Sequence, residues 1–165
     1  MHMTQFNLPL PAEADTLALG GALADCLAPG LVIYLSGELG AGKTTLVRGL
    51  LRKLGVTCKV KSPTFTLIEV YEVSRLYLYH FDFYRFMGSG SGREFEETGF
   101  REHFNPQSIC IVEWPEKAAG LPPADLRIEL KIELQAPTAA DSGRIATIFA
   151  DSEAGVSCLK RFTMT

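Results

Sequence analysis

Long apolar runs are missing from this sequence. None approaches the roughly 20 residues that a helix needs to cross a bilayer, and the polar start from Met1 to Asn7 has no signal-peptide core. The expectation is a cytoplasmic protein with no membrane role. Cysteine is sparse: Cys26, Cys58, Cys110 and Cys158 are widely spaced with no C-x-x-C pair, which speaks against a zinc site or a disulfide framework and for a reducing compartment. Basic residues are not in excess either. With a formal net charge of −3, a broad phosphate-binding surface for nucleic acid is not expected, so any RNA role depends on a partner or on a local patch.

What the chain does have is the composition of a globular domain. Hydrophobic residues at 47% and charged residues at 21% lie near soluble averages, which disfavours disorder. A length of 165 residues suits one domain over 1–165, and no repeat or linker interrupts it. Leu17, Leu19, Leu23 and Leu27 among alanines give Pro11 to Cys26 a helical pattern, ended by Pro29-Gly30. Leu31 to Ser36 is a continuous apolar run, as in a parallel strand buried on both faces. Lys43 to Leu54 then sets Leu46, Val47, Leu50, Leu51 and Leu54 on one side of a helix stopped by Gly55. Thr66 to Val73 and Leu76 to Asp82 read as a β-hairpin joined at Ser74-Arg75. Gly88 to Gly92 reads as a mobile loop before an acidic helix over Arg93 to Thr98. Ile109 to Val112 is a second buried strand, closed by Glu113 and stopped by Pro115. Leu126 to Leu134 alternates as a half-exposed strand, and Arg144 to Ala150 is its partner across the Pro137 to Gly143 turn. The expected fold is α/β: a central, mostly parallel sheet flanked by helices, with an antiparallel hairpin.

The segment Gly37-Glu38-Leu39-Gly40-Ala41-Gly42-Lys43-Thr44 matches G-x-x-x-x-G-K-[ST] between the first strand and its helix, the P-loop arrangement. Glycines at 37, 40 and 42 permit left-handed dihedrals, which turn successive N–H groups into one anion-sized concavity at a helix N-terminus. Lys43 is placed to reach the β- and γ-phosphate oxygens, and the Thr44 hydroxyl to face the magnesium that bridges them. ATP and Mg2+ are therefore the expected ligands.

Magnesium usually takes one or two carboxylates beside phosphates and water. Two apolar strands finish on an acid, at Asp82 and at Glu113, where open α/β sheets build their ligand sites. These are the candidate metal residues. His80, ahead of Asp82 on the same strand, is read as pointing to the opposite face, packed or in solvent.

With these residues in view, the sequence resembles the TsaE family, also called YjeE, bacterial ATPases needed to make N6-threonylcarbamoyladenosine in tRNA. The likeness rests on Gly37 to Thr45, Lys61-Ser62-Pro63-Thr64-Phe65-Thr66-Leu67, His80-Phe81-Asp82-Phe83-Tyr84-Arg85 and Glu113-Trp114-Pro115-Glu116-Lys117. It implies a P-loop fold in which Glu38, Leu39, Gly40, Ala41, Gly42, Lys43, Thr44 and Thr45 hold the nucleotide. Thr44 and Glu113 would bind magnesium, and Asp82 would be a further metal or water-orienting acid. Ser62, Thr64 and Thr66 resemble a switch-like segment sensing the γ-phosphate. Trp114 and Lys117 resemble positions near the nucleotide, and Glu13, before the first helix, one near the base. The resemblance further implies weak ATPase activity, a complex with TsaD and TsaB whose turnover this chain drives, and tRNA reached only through that complex. The chain departs from the family pattern after Arg85, where Gly88 to Gly92 stands near the family's Asp-Pro-containing stretch.

Two other readings compete. A small-molecule kinase needs a lid and an acceptor pocket, and no arginine-rich lid helix is evident; a nucleotide-dependent binding module would share the loop without turnover. Arg85 and Arg101 are the arginines considered for catalysis, although ion pairing at the surface is the commoner fate of that side chain.

Overall fold

The computed structural model describes residues 4–58, 60, 63, 67–74, 76–86, 93–134 and 142–162. The chain runs β1 (Thr4–Leu10), α1 (Glu13–Ala24), β2 (Val32–Gly37), α2 (Lys43–Lys53), β3 (Ile68–Val73), β4 (Leu76–Asp82), α3 (Arg93–Thr98), β5 (Ser108–Glu113), β6 (Leu126–Glu133), β7 (Gly143–Ala150) and α4 (Glu153–Arg161). Short 3-10 turns cover Phe100–His103 and Pro115–Lys117.

All seven strands form one sheet in the order β1-β7-β6-β2-β5-β4-β3. The central strands β6, β2, β5 and β4 pair in parallel, and antiparallel strands close both sides. This is the expected α/β fold with its hairpin. The hairpin strand starts at Ile68 instead of Thr66. Gly88 to Gly92 and most of the Pro137 to Gly143 turn lie outside the described residues.

Two elements were not foreseen. In β1, Phe6, Leu8 and Leu10 alternate with polar residues and point to the main core, but Pro9 obscures the pattern and is tolerated only because this strand is an edge. In α4, the Ser152 hydroxyl accepts from the Gly155 N–H at 3.0 Å and donates to Asp125 at 2.6 Å. The other Asp125 oxygen accepts from the Val32 N–H at 2.8 Å, so one carboxyl group ties the last helix to the central strand.

Alternation along the strands separates two cores. Leu78, Ile109, Ile111, Ile33 and Leu35 face the layer that contains α1 and α2, and Phe81, Val112, Cys110 and Val32 face α3 and an aromatic cluster. In that cluster Phe81 stacks on Phe104 at 5.2 Å and on Phe83 at 5.6 Å, which fixes the chain just after β4.

Helices α1 and α2 approach closely because glycines meet backbone. A Cβ on Gly49 would stand 2.2 Å from the Leu17 carbonyl oxygen, and one on Gly20 2.1 Å from that of Leu46. Because the obstructing atoms are backbone, relief requires the helices to separate. Gly49→Ala should lower stability by about 1–3 kcal/mol through overpacking. Urea denaturation checks this: the midpoint falls at unchanged slope, whereas an unchanged midpoint shows that the helices separate without cost.

Candidate functional site

β2, β4 and β5 are parallel, so their C-terminal ends share one edge of the sheet, where open α/β sheets place ligands. β2 ends in the glycine loop. Gly37, Gly40 and Gly42 take φ of 151°, 81° and 107°, dihedrals that side chains resist. Gly42 caps α2, its carbonyl accepting from the Leu46 N–H at 2.9 Å. The N–H groups of the first helical turn therefore face outward with no intrahelical partner, the arrangement that binds anions.

Lys43 opens α2 and is only 5% exposed. Its ammonium donates to the carbonyls of Gly37 at 2.5 Å and Glu38 at 3.0 Å and lies 4.3 Å from the centre of the Trp114 ring. Burial pushes its pKa below the usual lysine value, opposed by the negative charges of Glu113, Asp82 and Glu116. Trp114 is held at φ 56°, a left-handed conformation that costs about 1–3 kcal/mol in a residue with a side chain. Its ring packs 5.0 Å from that of Tyr84.

Both candidate acids lie where the strand ends predict. Asp82 and Glu113 are direct neighbours in the β4–β5 register and are 4% and 2% exposed. The Thr44 hydroxyl lies 3.3 Å from each Glu113 carboxylate oxygen, and Asp82 accepts from the Tyr84 N–H at 2.9 Å. Thr44, Asp82 and Glu113 thus converge beside the loop. Among the described residues no three His, Cys, Asp or Glu side chains form a metal cage. A hydroxyl and two acids suit magnesium nonetheless, since that ion leaves several positions to phosphate and water.

The expectation for His80 is corrected. Residues 80 and 82 are two positions apart, and a strand of period two puts both on the same face. His80 is fully buried, with Nε2 2.6 Å from a Glu113 oxygen, so it points into the site and fixes the carboxyl group that Thr44 also meets. Its Nδ1 has no hydrogen-bond partner among the described residues.

Two clefts of about 260 and 250 Å3 adjoin the loop. Each lies just below the range of small-molecule pockets, about 300–1,000 Å3. Lys43, Thr44, Asp82, Glu113 and Trp114 line the first, with Leu39, 68% exposed, at its rim. Glu13, Thr16, Ser142 and Arg144 line the second, and Gly40, Gly42 and Thr45 border both.

Glu13 begins α1 itself and pairs with Arg48 at 3.8 Å. Lys117, on the turn after Trp114, lines neither cleft. Ser62, Thr64 and Thr66 lie outside the described residues. Arg101 donates to Glu96 and to the Gly120 carbonyl, away from the phosphate loop. Arg144 was missed: it reaches the loop from more than 100 residues away through backbone carbonyls, which leave no side-chain pattern to read.

Comparison with known proteins identifies the family. Residues 10–141 match the family model for threonylcarbamoyl adenosine biosynthesis protein TsaE. A Haemophilus influenzae protein described as tRNA threonylcarbamoyladenosine biosynthesis protein TsaE is 42% identical over 134 residues, 78% of this chain and 81% of that protein. A Bacillus subtilis protein of the same description is 42% identical over 118 residues, 71% of this chain and 72% of its own length. The crystal structure of Bacillus subtilis YdiB superposes with a TM-score of 0.72 at 31% identity, covering 98% of this chain and 96% of that one. With its glycine loop and paired strand-end acids inside the matched segment, the chain belongs to the TsaE family of tRNA threonylcarbamoyladenosine biosynthesis proteins.

Proposed function

We propose that the chain is a cytoplasmic ATP-binding, slowly hydrolysing subunit that acts with the TsaD and TsaB proteins in tRNA modification. The observation that carries this reading is the convergence of Lys43, Thr44, Asp82 and Glu113 on one side of the glycine loop. The unpaired amides of the first turn of α2 and the Lys43 ammonium donate to phosphate oxygens, Lys43 exchanging its bonds to the Gly37 and Glu38 carbonyls for them. Thr44 and Glu113 would hold magnesium, which would neutralise phosphate charge. His80 keeps Glu113 in place. Asp82, beside Glu113, orients water as a hydrogen-bond acceptor, and the Trp114 ring shields the Lys43 ammonium from bulk solvent.

Slow turnover follows from what lines the clefts. Among the described residues that border the two clefts Arg144 is the single arginine, and its guanidinium is engaged with backbone carbonyls. A cationic group supplied by a partner raises P-loop hydrolysis by about 10³–10⁵-fold, so docking is the natural point of control. With a net charge of −3, direct contact with tRNA is not the favoured route.

Lys43→Ala should remove nucleotide binding while the domain stays folded, read by displacement of a fluorescent ATP analogue; undiminished affinity in a folded variant refutes the phosphate site. Glu113→Gln should raise the magnesium concentration required for binding by about ten-fold or more. Asp82→Asn should instead reduce turnover by about 10²-fold. A magnesium titration separates the two, and an unchanged requirement in Glu113→Gln transfers the ion to Asp82. ATPase rates should rise when TsaD and TsaB are added, and multiple cycles of tRNA modification should need that turnover. A rate indifferent to both proteins favours a nucleotide-dependent binding module.

A further inference from the structure

Arg144 lies beyond the segment that the family model matches. It sits in β7 between two neighbours, in register with Leu10 of β1 and Ile132 of β6, so its backbone is fixed from both sides. Its side chain leaves this platform for the glycine loop. Nε donates to the Ala41 carbonyl at 3.0 Å and Nη2 to the Gly40 carbonyl at 3.0 Å, while Nη1 donates to the carbonyls of Ser142 and, at 3.2 Å, of Gly143. One edge of a planar guanidinium thus takes two consecutive loop carbonyls, a geometry that a lysine ammonium does not reproduce.

The consequence lies in the peptide planes. In a trans peptide the carbonyl of one residue and the N–H of the next point in opposite directions, and no peptide bond among the described residues is cis. Drawing the Ala41 carbonyl toward Arg144 turns the Gly42 N–H the other way, at the position that caps α2. The Gly40 carbonyl, drawn likewise, fixes the Ala41 N–H, which donates to the Glu38 carbonyl at 3.0 Å and closes the loop. Glycines at 40 and 42 leave this backbone free to adopt other conformations, and an external clamp removes that freedom.

We propose that Arg144 is a positioning residue for the phosphate loop: from β7 it draws the Gly40 and Ala41 carbonyls to its own side and thereby sets the amide of Gly42 for a polyphosphate. It acts through the loop and touches no reacting atom. The role rests on the nucleotide reading above and extends it to a strand outside the recognised motif.

The test titrates the wild type, Arg144→Lys and Arg144→Gln with ATP and with inorganic tripolyphosphate at fixed magnesium, using calorimetry, with thermal melts in parallel. Both ligands should weaken by the same factor, about ten-fold in Arg144→Lys and more in Arg144→Gln, at nearly unchanged melting temperature. Unchanged affinities in a folded variant overturn the proposal. So does a loss confined to ATP, which makes Arg144 a nucleoside contact in the second cleft. A wild type that binds neither ligand removes the nucleotide reading itself, whereas wild-type binding retained by the variants removes only the role of Arg144. Should either variant unfold, the wild type decides by NMR. The Arg144 Nε–H should be protected from exchange and the Gly42 amide should shift on adding tripolyphosphate; a freely exchanging Nε–H contradicts the clamp.

Discussion

A carboxyl group taken out of water is costly unless it finds partners, and Glu113 at 2% exposure has to find them inside the fold. It does so on two other elements. His80 of β4 meets one oxygen at 2.6 Å, and the Thr44 hydroxyl at the start of α2 lies 3.3 Å from both. The same contacts that compensate the acid therefore fix the register of β4 against β5 and the approach of α2 to the sheet edge. Asp82 follows automatically, being the register partner of Glu113. The acids of such a site are placed by folding before a charged ligand arrives, and preorganisation of that kind is what makes electrostatic stabilisation effective.

Placement of the site depends on a simple parity. Residues 78, 80 and 82 on β4, and 109, 111 and 113 on β5, share the face that carries α2, and their intervening neighbours pack into the aromatic cluster opposite. The first members of each set are apolar and belong to the core; the last are polar and reach the rim. One rule of alternation thus delivers both a packed interior and a reactive edge.

Much of this was legible in the sequence. The glycine loop, the two strand-end acids, the hairpin and the acidic helix rest on local patterns, and local patterns are what a sequence displays. The same period of two puts His80 on the face of Asp82, but its contact with Glu113 depends on the pairing of β4 with β5, which no local pattern displays. β1 was obscured by Pro9, acceptable only at an edge that pairing alone defines. Arg144 carried no signal because its acceptors are main-chain carbonyls, which every residue possesses. Long-range contacts to backbone are invisible to motif reading, and here they bear on the loop that the motif itself identifies.

The proposed activity depends on a single arrangement, a polyphosphate in the Gly37 to Thr44 loop with its divalent ion on Thr44 and Glu113. A crystal structure of the wild-type chain with a non-hydrolysable ATP analogue and Mn2+, whose anomalous signal locates the ion, tests it directly. The predicted result is phosphates within the loop and an ion peak in contact with the Thr44 hydroxyl and Glu113, with His80 still on the carboxyl group. Phosphates outside the loop, or an ion held by other residues, would contradict it.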